Sequence, residues 1–227
     1  EYPDLFPKLL LIGEPTSCQA GVAQKGCIWL KLSVSGKTSH GAEPWQGINA
    51  LEQGFGLLAD LREELMREEH PVLGRSTLQI TMAEGGIAPN MTPDRAQFLA
   101  DIRIVPPLNE KEVLNRLKCL IEKRCEVYNG GLSFAPEISN YRMPVETGPK
   151  NQWLHRLKGF IGDNAGETGI NYFTDASIFL TAWPDSPALL FGPGEPQMCH
   201  KPNEYVEISK YFEAIRVMEK FCWYIAK

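Results

Sequence analysis

Glu14 and His200 are the residues in this sequence whose type and setting best suit metal chemistry. Glu14 follows an apolar run at residues 9–12 and a single glycine, Gly13. His200 follows a second such run, residues 187–191, then Gly192-Pro193-Gly194. Open α/β sheets bind ligands beyond the carboxyl ends of their strands, which is where both residues fall. A carboxylate oxygen and an imidazole nitrogen are both donors that zinc accepts. The Gly-Pro-Gly turn before His200 and Pro202 after it restrain its backbone, as a ligand requires. Cys199 is the neighbour of His200, and adjacent residues of an extended chain point opposite ways, so its thiol is not expected at the same ion.

Other residues read two ways. His40 lies in a turn rich in glycine and serine, Gly36 to Gly47, and is a loop histidine or a hydrogen-bond donor. Asn90 follows the Gly85-Gly86 turn. Arg103 ends a strand beside Asp101, which suits a surface ion pair or a fork that grips a carboxylate. Thr174 and Asp175 precede Ala176-Ser177-Ile178, where either could cap a helix or face a cleft.

The elements that carry these residues follow from hydrophobic period. Residues 8–12 read as a short buried strand. Residues 27–35 alternate as a half-buried strand. Residues 49–69 form a helix with Leu51, Phe55, Leu58, Leu61 and Leu65 on one stripe. Strands follow at 77–82 and 96–105. A second helix runs from Asn109 to about Cys125, with a capping box of Asn109 and Glu112. A weak strand lies around 132–134. The order strand-helix-strand-strand-helix-strand is a ferredoxin-like layer. It spans residues 26–135 and interrupts a second domain made of residues 1–25 and 136–227. That domain continues with a helix at 152–160, a strand near 169–173, the run at 187–191 and a last helix at 209–226. The last helix is expected to bury Phe212, Ile215, Met218, Cys222 and Ile225.

Composition narrows the function. The net charge of -5 leaves no basic footprint for nucleic acid. No apolar run reaches the roughly 20 residues a membrane helix needs. Glu1-Tyr2-Pro3-Asp4 reads as neither a signal peptide nor a natural initiator. Six cysteines without a C-x-x-C pair point to reduced thiols and a cytoplasmic setting.

Taken together, several segments resemble the M20 family of co-catalytic zinc metallopeptidases and aminoacylases. They are Ile12-Gly13-Glu14-Pro15-Thr16, Gly36-Lys37-Thr38-Ser39-His40-Gly41-Ala42-Glu43-Pro44, Gly47-Ile48-Asn49-Ala50, Gly85-Gly86 with Asn90 and Pro93-Asp94, Asp101-Ile102-Arg103, Thr174-Asp175-Ala176 and His200-Lys201-Pro202-Asn203-Glu204. The resemblance implies an α/β fold: a mixed-sheet zinc hydrolase catalytic domain with an inserted ferredoxin-like βαββαβ lid and dimerisation domain. It implies two zinc ions per complete site, with cobalt as a substitute, and Glu14 and His200 as two of the ligands. It implies that His40 stabilises an oxyanion in the partner subunit's cleft. Asn90 and Arg103 would hold a substrate carboxylate, and Thr174, Asp175, Gly192 and Gly194 would line the substrate site. The implied substrates are N-acyl amino acids, as in the acetylornithine-deacetylase-like branch, or short peptides for a carboxypeptidase or dipeptidase. The implied partner is a second copy bound through the lid.

The family's earlier segment carries a His-x-Asp, a bridging Asp and a Glu-Glu pair whose first member is the general base. None of the four histidines here is followed by x-Asp. Glu63-Glu64 and Glu68-Glu69 lie beside Arg62 and Arg67 and read as a solvated helix face. The catalytic domain is therefore expected to be incomplete, with the resemblance confined to the family's C-terminal part. The chain alone would be inactive, or a non-catalytic fragment acting through lid dimerisation.

Overall fold

A computed structural model describes residues 6–163 and 165–226; Glu1-Tyr2-Pro3-Asp4 lies outside them. In chain order the elements are β1 (Leu10–Ile12), β2 (Ala20–Gln24), β3 (Gly26–Ser35), α1 (Ala50–Leu65), β4 (Glu69–His70), β5 (Gly74–Arg75), β6 (Thr77–Gly85), β7 (Arg95–Ile104), α2 (Glu110–Val127), β8 (Ser133–Arg142), β9 (Val145–Glu146), α3 (Gln152–Ile161), β10 (Glu167–Ile170), α4 (Ala176–Ala182), β11 (Ala188–Leu190) and α5 (Ile208–Ile225). They form two compact units. One holds the chain up to Gly26, His70–Gly74, and everything from Pro144 onward. The other is Cys27–Glu69 with Arg75–Met143.

The second unit is a four-stranded sheet, order β6-β7-β3-β8, with α1 and α2 packed on it. That is the ferredoxin-like order. Its core follows from alternation: β3 turns Ile28, Leu30, Leu32 and Val34 inward and leaves Lys31, Ser33 and Ser35 outside. Phe98, Ala100, Ile102 and Ile104 do the same on β7. Helix α1 buries Leu57, Leu58, Leu61 and Leu65 against them. Its Gly54 is required by packing, since a Cβ there would lie 2.1 Å from the Phe98 ring. Asn49 caps α1, and the capping box of Asn109 and Glu112 starts α2. The weak strand around 132–134 is in fact the ten-residue β8. Its length comes from pairing with β3 over nearly the whole of that strand, not from its own apolar pattern, which Pro136 and Glu137 break up.

The first unit has a five-stranded mixed sheet, β1-β11-β2-β10, with β9 also on β2. Strand β1 finds its partner in β11, parallel, across the whole interruption. The central strand β2 was not anticipated. Its residues, Ala-Gly-Val-Ala-Gln, lack alternation and carry a single β-branched side chain, Val22, yet all five are buried. Gly21 admits Leu190, whose Cβ would be 2.6 Å from a Cβ at that position. Helix α5 corrects a second expectation. It buries Ala214, Val217 and Phe221, while Phe212 and Ile215 stand 64% and 45% exposed. Apolar residues occur all round this helix, so periodicity alone could not choose the stripe. The choice was made by α3, whose Trp153 and Phe160 close edge-on around Phe221.

Candidate metal centre

Glu14 stands two residues beyond β1, and its backbone is held by the loop after β11. A Cβ on Gly192 would come within 2.6 Å of the Glu14 carbonyl oxygen, and one on Gly194 within 2.8 Å of Pro15 Cβ. Thr16 seals the contact: its hydroxyl donates to the Gln19 carbonyl at 2.7 Å and accepts from the Gly192 amide at 3.1 Å. The two glycines therefore let two loops touch, which puts the turn carrying Glu14 beside the loop that leads to His200.

His200 adopts a left-handed backbone, φ 60°. Histidine tolerates this region better than most residues, but it needs support. Glu204 supplies it, its Oε2 accepting the His200 amide at 3.1 Å. Glu14 and His200 then line one cleft of about 380 Å³ together with Tyr172, Asp175, Cys199 and Glu204. Tyr172 Oη donates to Glu14 Oε2 at 3.4 Å and lies 3.5 Å from Cys199 Sγ. Burial pushes the Glu14 carboxyl up, the Tyr172 bond pulls it back, and the nearby Asp175 raises it further. Burial also pushes the Tyr172 phenol up.

Whether these residues fit the implied metal can be tested on the donor set. Glu14 and His200 bring a carboxylate and an imidazole, both donors that zinc accepts, to one cleft. Among the described residues, however, no group of three or more His, Cys, Asp or Glu side chains is arranged to hold an ion. The fit is that of a half-site.

The other expected site residues are distributed unevenly. Thr174 is only 5% exposed; its hydroxyl donates to the buried Gln24 and accepts from the Ala176 amide at 3.2 Å. Thr174 thus fixes the start of α4, and both it and Asp175 line the cleft. In the other unit, the His40 and Asn90 loops lie together. The Gly41 amide donates to the Asn90 carbonyl at 2.7 Å, and His40 bridges Met91. His40 is exposed, and its Nδ1 accepts the Ala42 amide at 3.1 Å, which leaves the proton of the neutral ring on Nε2. Arg103 is elsewhere. It follows Arg95, the first residue of β7, by eight strand positions, roughly 26 Å at about 3.3 Å per residue. Its Nε and Nη2 donate to Asp101 at 2.6 and 2.9 Å, and Trp29 Nε1 donates to the same carboxylate at 3.2 Å. A separate cleft of about 540 Å³ on the open face of the second unit's sheet contains none of these residues.

Tyr172 and Glu204 were not singled out as site residues from sequence. Tyr172 had a usable signal, a polar-tipped aromatic two residues past the end of β10. Glu204 had none beyond its spacing from His200.

A ferredoxin-like unit is inserted in sequence into a mixed α/β unit that carries a carboxylate and an imidazole beyond its strands, and comparison with known proteins shows what this arrangement is similar to. Residues 22–129 match the M20 family described as a peptidase dimerisation domain. The chain is 29% identical over 238 residues to acetylornithine deacetylase of Shigella sonnei (strain Ss046), covering 99% of this chain and 60% of that protein. An aminopeptidase structure from Bacillus cereus ATCC 10987 superimposes with TM-score 0.75 at 17% identity, over 100% of this chain and 60% of that one. An M20 family metallo-carboxypeptidase from Sulfolobus solfataricus superimposes with TM-score 0.66 at 16% identity, over 97% and 64%. The chain is thus related to the M20 metallopeptidases and aminoacylases, and it spans about 60% of the length of the curated relative it matches.

Proposed function

We propose that this chain is the larger part of a metal-dependent amidohydrolase that removes the acyl group from N-acyl amino acids. The observation that carries the reading is the meeting of Glu14 and His200, from opposite ends of the chain, in one cleft with Asp175 and Tyr172. A zinc pair bound there would polarise the amide carbonyl and supply a hydroxide. This chain's own part is to hold two of the donors, shape the cleft, and offer His40 Nε2–H as a donor to the developing oxyanion. The acetylornithine deacetylase relative favours deacylation; a carboxypeptidase or dipeptidase is the alternative within the family. Six free cysteines favour a cytoplasmic setting.

We further propose that the working state is a homodimer joined through the ferredoxin-like unit, with His40 acting on the partner's cleft. Within one copy, His40 and Asn90 sit at the opposite end of β7 from Arg103, too far apart to hold one small substrate. Two copies can bring one end of each together. Hybrid dimers of the catalytically complete protein test this: its His40→Ala and Glu14→Ala variants, each inactive, should regain part of the activity when mixed and exchanged. Dimers that stay dead, while wild type survives the same treatment, would remove the trans role.

The absence of a three-ligand group among the described residues favours a second reading, a non-catalytic fragment that acts through dimerisation. Intact mass and calorimetry separate the two. A protein of 25.4 kDa that binds zinc weakly and hydrolyses no N-acyl amino acid or dipeptide fits the fragment. Tight binding of two zinc ions by these 227 residues would show that the ligands have been misassigned.

A further inference from the structure

Ser17 and Cys18 are consecutive non-glycine residues with left-handed backbones, φ 56° and 59°. Such residues rarely follow one another, because each sets its Cβ against a carbonyl oxygen. They lie three and four positions after Glu14, so whatever holds this turn also holds Glu14. Part of the restraint is backbone. The Ser17 amide donates to the Gly194 carbonyl at 2.8 Å, and the Cys18 amide to the Gly192 carbonyl at 2.9 Å. The rest is a closed triangle of side chains. Ser17 Oγ donates to Glu195 Oε1 at 2.7 Å, Lys210 Nζ donates to Ser17 Oγ at 2.7 Å, and Lys210 Nζ pairs with the same Glu195 oxygen. The Glu195 and Lys210 side chains are 15% and 28% exposed. Cys18 Sγ adds a contact to the Lys210 carbonyl at 3.3 Å.

The triangle joins three pieces of chain. Ser17 belongs to the turn that carries Glu14. Glu195 opens the segment that runs to His200. Lys210 lies in the first turn of α5. None of the three lines the cleft, and a lysine paired to a carboxylate is no base for Ser17, so a serine–lysine nucleophile is not what this geometry serves.

We infer that Ser17, Glu195 and Lys210 form a clip that sets the spacing of Glu14 and His200, with Lys210 as its positioning residue. The inference rests on the metal reading of those two residues. Outer groups that orient metal ligands typically contribute about 10–100-fold to affinity; the clip is expected at about the lower end of that range.

The test uses the 227-residue chain, zinc ion as probe, and NMR of the Glu14 carboxyl, the His200 ring and the amides of residues 16–18. Lys210→Ala should speed exchange of the Ser17 and Cys18 amides and weaken the zinc response of Glu14 and His200 about tenfold. Lys210→Arg should behave as wild type. Adding Ser17→Gly to Lys210→Ala should restore much of the zinc response, because glycine holds a left-handed turn without the clip. Ser17→Ala removes two of the triangle's bonds without touching α5, and should reproduce the effect if Lys210→Ala unfolds. Unchanged amide exchange and zinc response in Lys210→Ala and Ser17→Ala would overturn the clip. If zinc perturbs neither Glu14 nor His200 in wild type, the metal reading fails. The clip is then judged on the Glu14 and His200 shifts alone: movement in Lys210→Ala upholds it, and no movement overturns it.

Discussion

The two units solve the same problem to different degrees. In the ferredoxin-like unit, two helices cover one face of a four-stranded sheet, and a single cluster of nineteen buried residues fills the space between. In the mixed unit, β1 has a neighbour on one side only among the described residues, and α5 leaves Phe212, Ile215 and Trp223 exposed. The same unit brings Glu14 and His200 to one cleft, and among its described residues no group of three His, Cys, Asp or Glu side chains is arranged to hold an ion. Incomplete packing and incomplete chemistry occur together in one unit. Both follow if the mixed unit is completed by more protein, while the ferredoxin-like unit is complete in itself.

The largest effect that could break this comparison is in the core. Leu58→Ala, fully buried on α1, should cost about 2–5 kcal/mol. Ile215→Ala on the outer face of α5 should change stability by about 0.5 kcal/mol or less. Urea unfolding followed by hydrogen exchange assigns each loss to a unit. If Ile215→Ala costs as much as Leu58→Ala, α5 is not the uncovered helix it is taken to be.

The legibility of the sequence divides along the same line. Strands β3 and β7 alternate and helices α1 and α2 carry caps and stripes, so the ferredoxin-like unit can be drawn from its residues alone. Each of those elements buries one face against its own neighbours, and a one-faced element advertises itself. The mixed unit hides its centre. Strand β2 is buried on both faces and built of small residues, so it has no period to read. Helix α5 has more than one apolar stripe, and α3, distant in sequence, selects among them. Of the proposed site, Glu14 and His200 could be named from sequence because each follows an apolar, strand-like run. The clip was not, because Ser17, Glu195 and Lys210 lie far apart in sequence and no pattern links a lysine in a helix to a serine in a turn.

Arg103 sharpens the comparison from the complete side. Its fork is occupied by Asp101, so a substrate carboxylate must take Asp101's place or share the guanidinium. In catalytically complete protein, Arg103→Ala should lower kcat/KM by roughly 2–4 kcal/mol on substrates with a free carboxylate. Arg103→Lys should recover little, since an ammonium cannot form the fork. Equal losses on carboxylate and amide-capped substrates would confine Arg103 to its pairing with Asp101.

Gly192→Ala probes the incomplete side at a smaller scale. Its Cβ would press on the Glu14 backbone at 2.6 Å, and backbone cannot move aside cheaply. The expected cost is about 1–3 kcal/mol, with a matching loss of zinc response at Glu14. Gly148→Ala, where nothing lies within 4 Å, is the control and should be near neutral. Thermal unfolding and zinc titration read both. A silent Gly192→Ala would mean that the two loops do not need their close approach.

The smallest effect is in pH. Lys210 and Ser17 hold the Glu195 carboxyl below its ordinary value of 4.5, and Glu195 in turn holds Lys210 above its ordinary 10.5. A carboxyl whose folded value is depressed adds stability that is present above about 4.5 and is lost as pH falls through the folded value. A lysine whose folded value is raised adds stability that is present below about 10.5 and is lost as pH rises through the folded value. The clip therefore works across the neutral range and releases at both ends. Its contribution should be about 1–2 kcal/mol, the scale of a partly covered charge-assisted hydrogen bond. Unfolding of the mixed unit, followed by hydrogen exchange in α5, should show this loss on acidification below about pH 4.5. Lys210→Met should flatten that part of the acid limb, because it leaves Glu195 with only Ser17 to hold its charge. The ferredoxin-like unit has no part in the clip, so its own acid limb should be the same in wild type and Lys210→Met. If the variant shifts both units equally, the pH dependence belongs to the whole chain and the clip contributes no separate share.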